Sequence, residues 1–466
     1  MGNNISRRDF LKITGIAGLA TAGLSACSDK NTGAATPRHK SGEMTYRVNP
    51  STGDKVSLLG YGMMRLPTMA DPNAKPGGND KDGVIQEVID QDTVNELVDY
   101  ALAHGVNYFD TSPVYCQGRS EESTGIALSR HPRDKYFIAT KLSNFSPETQ
   151  TYDASVAMYR NSLKNLRTDH LDYLLLHAIG GGDDSIATFN QRFIDNGVLK
   201  FLQKEREAGR IRNLGWSFHG DVKAFDHLLK MHDEGKAKWD FVQIQLNYVD
   251  WKHASEHNVN AEYLYDELAK RNIPAVIMEP LLGGRLATLA DFLNARLKEQ
   301  RPEESVASWA FRFAGTPQKV LTVLSGMTYK EHLVDNLNTF CPLEPCTPAE
   351  LELLEDTAVR MQDYETIPCT ACQYCMPCPF GLDIPGIFRH YNKCVNEGNV
   401  IASADNEGYR KARKAFLVGY DRSVPRLRQA NHCIGCGQCE PHCPQNIHIP
   451  DQLHRIDKFV EQLKQS

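Results

Sequence analysis

The chain has 466 residues, about three times a common domain length of roughly 150, so it can bury a large core without disulfide staples. Hydrophobic residues make up 41% and charged residues 24%, which excludes a disordered chain, and a net charge of −6 leaves no nucleic-acid footprint. A mean hydropathy of −0.44 excludes a polytopic membrane protein, and 13 cysteines are the compositional oddity.

Residues 1–44 read as an address and a tether. Arg7 and Arg8 precede an apolar stretch from Ile13 to Ala26, long enough for a secretory signal and too short to span a bilayer. A basic amphipathic helix is the plainer alternative, and Gly15, Gly18 and Gly23 weigh against it. Ser6-Arg7-Arg8-Asp9-Phe10-Leu11-Lys12 resembles a twin-arginine export signal. Leu24-Ser25-Ala26-Cys27 is similar to a lipobox, in which Cys27 becomes a lipidated first residue; an ordinary cleavage site with a chance cysteine is the alternative. The resemblance implies a periplasmic or envelope protein that is folded, with its cofactors inserted, before export.

From 45 to 345, β-rich runs alternate with helical ones. Strands are expected at Val56–Tyr61, Tyr108–Asp110, Tyr136–Thr140, Leu171–His177, Asn213–Ser217, Phe241–Gln245, Ala275–Met278 and Val320–Leu324. Val94, Leu97, Val98, Ala101 and Leu102 form a helical stripe with Asp92 as its N-cap and Gly105 as its stop; another stripe runs through Leu199, Phe201 and Leu202 to Gly209. Eight such alternations predict an α/β fold, a (β/α)8 TIM barrel, with a doubly wound sheet as the alternative. The insert from Ala70 to Gly83 reads as a solvated loop or a substrate lid.

In a barrel, chemistry gathers at the C-terminal ends of the strands. Asp110 and Tyr115 follow the second strand, Lys141 the third, and His177 closes the fourth. Asp110-Thr-Ser-Pro-Val-Tyr115, Ala-Thr-Lys141 and Leu-Leu-Leu-His177 resemble the aldo-keto reductase tetrad, as does Gly60-Tyr-Gly-Met-Met-Arg65-Leu-Pro on the first strand. The resemblance implies Tyr115 as proton donor to a carbonyl oxygen, with Lys141 lowering its pKa, Asp110 fixing Lys141, and His177 donating a hydrogen bond to substrate. It also implies a nicotinamide cofactor, NAD(P)H. Ser217 and Gln243 would meet the carboxamide, Gly283, Gly284 and Arg285 the pyrophosphate, and Asn336 the adenine. Phe218, Met278 and His332 stand where the family carries asparagine, tyrosine and arginine, which puts NADP specificity in question.

Residues 346–466 carry eight cysteines in two runs, Cys369-x2-Cys372-x2-Cys375-x2-Cys378-Pro379 and Cys433-x2-Cys436-x2-Cys439-x3-Cys443-Pro444. The second is the bacterial ferredoxin run, whose fourth cysteine serves the other cluster; the first is one residue shorter. Cys369, Cys372, Cys375 and Cys443 are therefore expected on one [4Fe–4S] cluster, and Cys433, Cys436, Cys439 and Cys378 on a second. Zinc and disulfides are the competing uses. An internal repeat, Cys-Pro-Phe-Gly-Leu-Asp-Ile-Pro against Cys-Pro-Gln-Asn-Ile-His-Ile-Pro, supports two copies of one loop in a mainly helical, ferredoxin-like domain. Of the rest, Cys341 and Cys346 read as a disulfide or as buried thiols.

With this domain attached, the chain resembles the ferredoxin-fused branch of the aldo-keto reductases. The expected function is exported redox chemistry on a carbonyl or alcohol substrate, with electrons relayed through the clusters to a redox partner. Hydride moves two electrons and a cluster one, so a flavin or a partner protein could bridge them. The rival expectation is an electron carrier with a non-catalytic barrel.

Overall fold

A computed structural model describes residues 43–72, 87–182, 184–254, 258–362, 366–401, 406 and 408–465. The signal, Cys27 and the tether lie outside them, as does most of the insert after residue 70. All described residues fall in one compact unit. Among them, no helix is long and apolar enough to cross a membrane.

Eight parallel strands close a barrel: β1 (Leu59–Gly62), β2 (Tyr108–Asp110), β3 (Phe137–Leu142), β4 (Leu171–Ile179), β5 (Ile211–Phe218), β6 (Phe241–Gln245), β7 (Ala275–Met278) and β8 (Val320–Ser325). They lie in chain order, and β8 returns to β1 with Leu324 opposite Gly60. This is the TIM architecture, not the doubly wound sheet. One strand expectation needs correcting. Val56–Tyr61 is not one strand, because Ser57 turns its hydroxyl onto the Leu59 carbonyl and gives its own amide to Asn107. Lys55–Ser57 instead pairs antiparallel with Tyr46–Val48, and only Leu59–Gly62 enters the barrel.

The strand period of two decides what points inward. Tyr108, Ala139, Tyr173, Leu175, Phe241 and Val276 form the buried interior cluster. Asp110 lies two residues beyond Tyr108, Lys141 two beyond Ala139, and His177 two beyond Leu175. The sequence pattern therefore puts all three on the inner face, one layer nearer the C-terminal end. Outside the barrel, the helix Gln91–Ala103 buries Val94, Leu97, Val98 and Ala101. Its N-cap is Asp90, which accepts from the Thr93 amide at 3.1 Å, and the expected cap Asp92 lies in the first turn.

The cysteine-rich region has its own core, built by the helices Ile384–Asn396, Tyr409–Ser423 and Ile449–Gln465. The internal repeat is visible here: Ile384-Pro385 and Ile449-Pro450 each open a helix after a cysteine loop. The helix Pro348–Gln362 contributes Leu354 and Ala358 to the barrel's core, so the break between the two cores falls after 362 rather than at 345. Cys341 and Cys346 are buried free thiols, not a disulfide.

Candidate functional site

Lys141 and Asp110 form an ion pair at 2.5 Å at the C-terminal end of the barrel, with both side chains almost fully buried. The Lys141 ammonium also donates to the Thr111 carbonyl at 2.8 Å. Burial pushes Asp110 up and Lys141 down, and each partner opposes the shift of the other. Close contact plus a second acceptor favours the ionised pair.

Tyr115 lies against this pair in a short turn. The Lys141 Nζ sits over its ring, 4.8 Å from the centre. Burial pushes the Tyr115 phenol well above its ordinary value, with Tyr374, Asp110 and Glu279 adding to the rise. Burial raises the phenol, opposite to the lowering that the resemblance implies, while the ammonium is held by Asp110 and Thr111. Tyr115 is held neutral and protonated.

His177 meets Tyr115 edge-on, with ring centres 6.2 Å apart. Its Nδ1 is 2.6 Å from the Ser143 Oγ, and that hydroxyl is 3.0 Å from the Ser112 Oγ. The buried Arg192 donates to the His177 carbonyl at 2.6 Å, and Phe145 lies 5.1 Å from the imidazole. Burial first, then Lys141, His219 and Arg192, hold His177 well below its usual pKa, so the ring is neutral. When Ser143 donates to Nδ1, the single ring proton resides on Nε2. Ser143 and Arg192 carried no motif signal, and Ser112 entered only as part of the Asp110–Tyr115 motif. The role of the two serines is visible only once the barrel brings β3 and the turn after β2 beside β4.

The cysteines of the two runs come together across the sequence. Cys369, Cys372, Cys375 and Cys443 line one pocket with Ile384, Phe388 and Ile449. Cys378 lies in the electrostatic field of Cys433 and Cys439 instead. The loops curl alike: Ala371 and Gln373 have φ of 50° and 68°, and the equivalent Gly435 and Gly437 have 73° and 71°. An L-residue in this region costs about 1–2 kcal/mol, so the first loop holds against strain a shape that glycine gives the second freely. The curl turns amides toward sulfur, as from Ala371 to Cys369 Sγ at 3.4 Å. Burial pushes the Cys369 and Cys372 thiols up to about 11 and about 12, so four thiolates there require a cationic centre. The donor set fits a four-iron cluster with thiols spread around it.

The expected dinucleotide residues are less well placed. Ser217 Oγ accepts from the Ala178 amide at 2.9 Å, and Asn336 donates to Ser325 Oγ at 2.9 Å. Gln243 is buried with its Oε1 unpartnered among the described residues. Phe218 packs outward against Trp216 and Phe225, which explains a phenyl in place of an amide. His332 is exposed. Gly283, Gly284 and Arg285 follow β7, but Arg285 donates to Thr366 Oγ1 at 2.6 Å and a Cβ on Gly283 would lie 2.1 Å from Thr370 Cα. Gly283 and Arg285 face the cysteine segment, while Gly284 faces open space.

Comparison with known proteins agrees with this architecture. Residues 59–355 match the Aldo/keto reductase family, across the whole barrel. The chain belongs to the aldo/keto reductase family. Residues 368–448 match the 4Fe-4S dicluster domain. Over 273 residues the chain is 30% identical to an aldo-keto reductase of Mycolicibacterium smegmatis, covering 57% of this chain and 79% of that one. Over 130 residues it is 37% identical to D-arabinose 1-dehydrogenase of Saccharomyces cerevisiae, covering 27% of this chain and only 36% of the yeast enzyme. L-galactose dehydrogenase of Arabidopsis thaliana is 31% identical over 180 residues, 37% of this chain and 48% of the plant enzyme. A thermostable aldo-keto reductase solved with the inhibitor epalrestat shares the fold at TM-score 0.51 and 20% identity, covering 67% of this chain and 99% of that one.

Proposed function

We propose that this aldo/keto reductase is an iron–sulfur oxidoreductase that interconverts a small alcohol and its carbonyl at the barrel mouth. The observation that carries the reading is the buried Lys141–Asp110 pair beneath Tyr115, with neutral His177 beside it. A carbonyl being reduced builds charge on oxygen, and an alkoxide is a far stronger base than a phenolate. Tyr115, kept protonated, donates to that oxygen; in the reverse direction it takes the proton back. His177 orients the oxygen through its ring N–H, and Ser143 fixes which nitrogen carries it. Lys141 places a positive charge near the developing anion, and Asp110 anchors it.

Cys369, Cys372, Cys375 and Cys443 would hold one [4Fe–4S] cluster and Cys433, Cys436, Cys439 and Cys378 the other. Interconverting an alcohol and a carbonyl moves two electrons and two protons. Each bound cluster would carry one electron at a time to or from an outside carrier, so two such transfers would accompany each turnover, with Tyr115 handling one proton and solvent the other. Two relatives are named as sugar dehydrogenases, which favours a polyhydroxylated substrate. Export by a twin-arginine route, with a lipid anchor at Cys27, rests on the sequence of residues 6–27.

The test is a screen of aldoses, ketoses and sugar alcohols with an artificial one-electron carrier, comparing the wild-type chain with Tyr115→Phe. Turnover lost in the variant, with iron retained, supports the reading. A second reading, an electron carrier with an idle barrel, is favoured by the cysteine segment lying over the mouth. Tyr115→Phe with undiminished turnover would establish it.

A further inference from the structure

The segment from Thr366 to Tyr374 lies over the loop that the family resemblance assigns to a pyrophosphate and reaches the tetrad. At one end, Arg285 Nη2 donates to Thr366 Oγ1 at 2.6 Å. Next, the Thr370 main chain rests on Gly283, whose φ of 67° and lack of a Cβ allow that approach. Arg65, from the loop after β1, donates to the Thr370 carbonyl at 2.5 Å and so holds the segment from the opposite side. At the far end, the Tyr374 side chain reaches Tyr115.

The donors a pyrophosphate would need are also engaged. The Gly283 amide gives its proton to Glu279 Oε2 at 2.6 Å, and a carboxylate in that position repels a phosphate. Of the two nearby guanidinium groups, Arg285 is turned to Thr366 and Arg65 to Thr370. The residues present therefore do not fit a nicotinamide dinucleotide.

We infer that the Thr366–Tyr374 segment takes the dinucleotide's place, and that this chain binds neither NADH nor NADPH. Cys369 and Cys372 belong to the same segment, so the first cluster is held where the family's redox cofactor enters the barrel. In the barrel, Asp110 Oδ2 and Gln243 Oε1 are buried without hydrogen-bond partners among the described residues. The inference rests on the oxidoreductase reading only for its meaning in catalysis; whether a dinucleotide binds is independent of turnover.

The experiment uses the full chain, purified anaerobically with its iron. NADH and NADPH are titrated to millimolar concentration by calorimetry, and an acid extract is assayed for nucleotide. No saturable binding and no stoichiometric nucleotide are expected; a micromolar Kd or one nucleotide per chain overturns the inference. A second measurement reads the contact itself by electron paramagnetic resonance of the reduced clusters. Gly283→Ala crowds Thr370, and Arg285→Ala frees Thr366 without crowding. Each is expected to alter one of the two cluster signals and spare the other. Spectra unchanged in both variants would show that the loop does not support the cysteine segment, and the inference fails.

Discussion

Tyr374 of the first cysteine loop lies against Tyr115 of the barrel, close enough to help raise the Tyr115 phenol. Tyr374 stands between Cys372 and Cys375, so one residue separates a cluster ligand from the proposed proton donor. This makes the barrel and the cysteine region parts of one site rather than two modules on a string.

Tyr115→Phe keeps the ring beneath Lys141 and removes the hydroxyl. Turnover on any substrate found by screening is expected to fall by about 10²–10⁴-fold, the usual worth of general acid catalysis. Visible absorbance of the clusters stays as in the wild type. Steady-state rates and iron content, measured on the same preparation, check both halves of the statement.

The crossed ligand sets predict a pattern of iron loss. Cys369→Ser and Cys443→Ser each cost one cluster, so the chain falls from about eight irons to about four. Combining them costs nothing further, because both serve the same pocket. Combining Cys369→Ser with Cys378→Ser empties both sites. Ligand sets following each run in sequence would give the opposite result: Cys369 with Cys443 would empty both.

How much of this was legible beforehand depends on how local the signal is. Strand period and residue type put Asp110, Lys141 and His177 on one inner face, since Tyr108, Ala139 and Leu175 mark the inward phase of each strand. The cysteine runs were legible because each loop's curl is encoded within a few residues. The break at Ser57 was not, because it depends on Asn107, fifty residues away. Nor was the cover over Gly283, because a glycine loop reads the same whether phosphate or Thr370 lies on it. The sign of the Tyr115 shift failed for a related reason: burial and Tyr374 outweigh a cation that points at the ring.

Lys141→Met carries a stability cost as well as a catalytic one. Deleting one partner of a buried ion pair leaves the other charge uncompensated, at about 3–5 kcal/mol. Asp110 is that residue, and its Oδ2 already lacks a partner among the described residues. The double variant Lys141→Met/Asp110→Asn is expected to lose less than the two single losses added, by about 0.5–3 kcal/mol. Denaturant unfolding under anaerobic conditions measures all three.

His390 predicts how acid acts on the cysteine-rich core. The ring is buried, donates from Nε2 to the Phe416 carbonyl at 3.0 Å, and stacks on Tyr420 with ring centres 5.4 Å apart. Burial lowers its pKa from the ordinary 6.5 to about 4. Above pH 6.5 neither folded nor unfolded chain binds this proton, and stability does not depend on it. Between 6.5 and about 4 the unfolded chain takes the proton and the folded one refuses it, so stability falls as pH falls. The slope from this one group is at most about 1.4 kcal/mol per pH unit. His390→Gln keeps a donor for Phe416 and cannot titrate. Its unfolding free energy is therefore expected to drop less between pH 7 and pH 5 than that of the wild type. Equal drops in the two proteins would mean that His390 is already protonated in the folded chain at pH 5, and that its burial is not what limits acid stability.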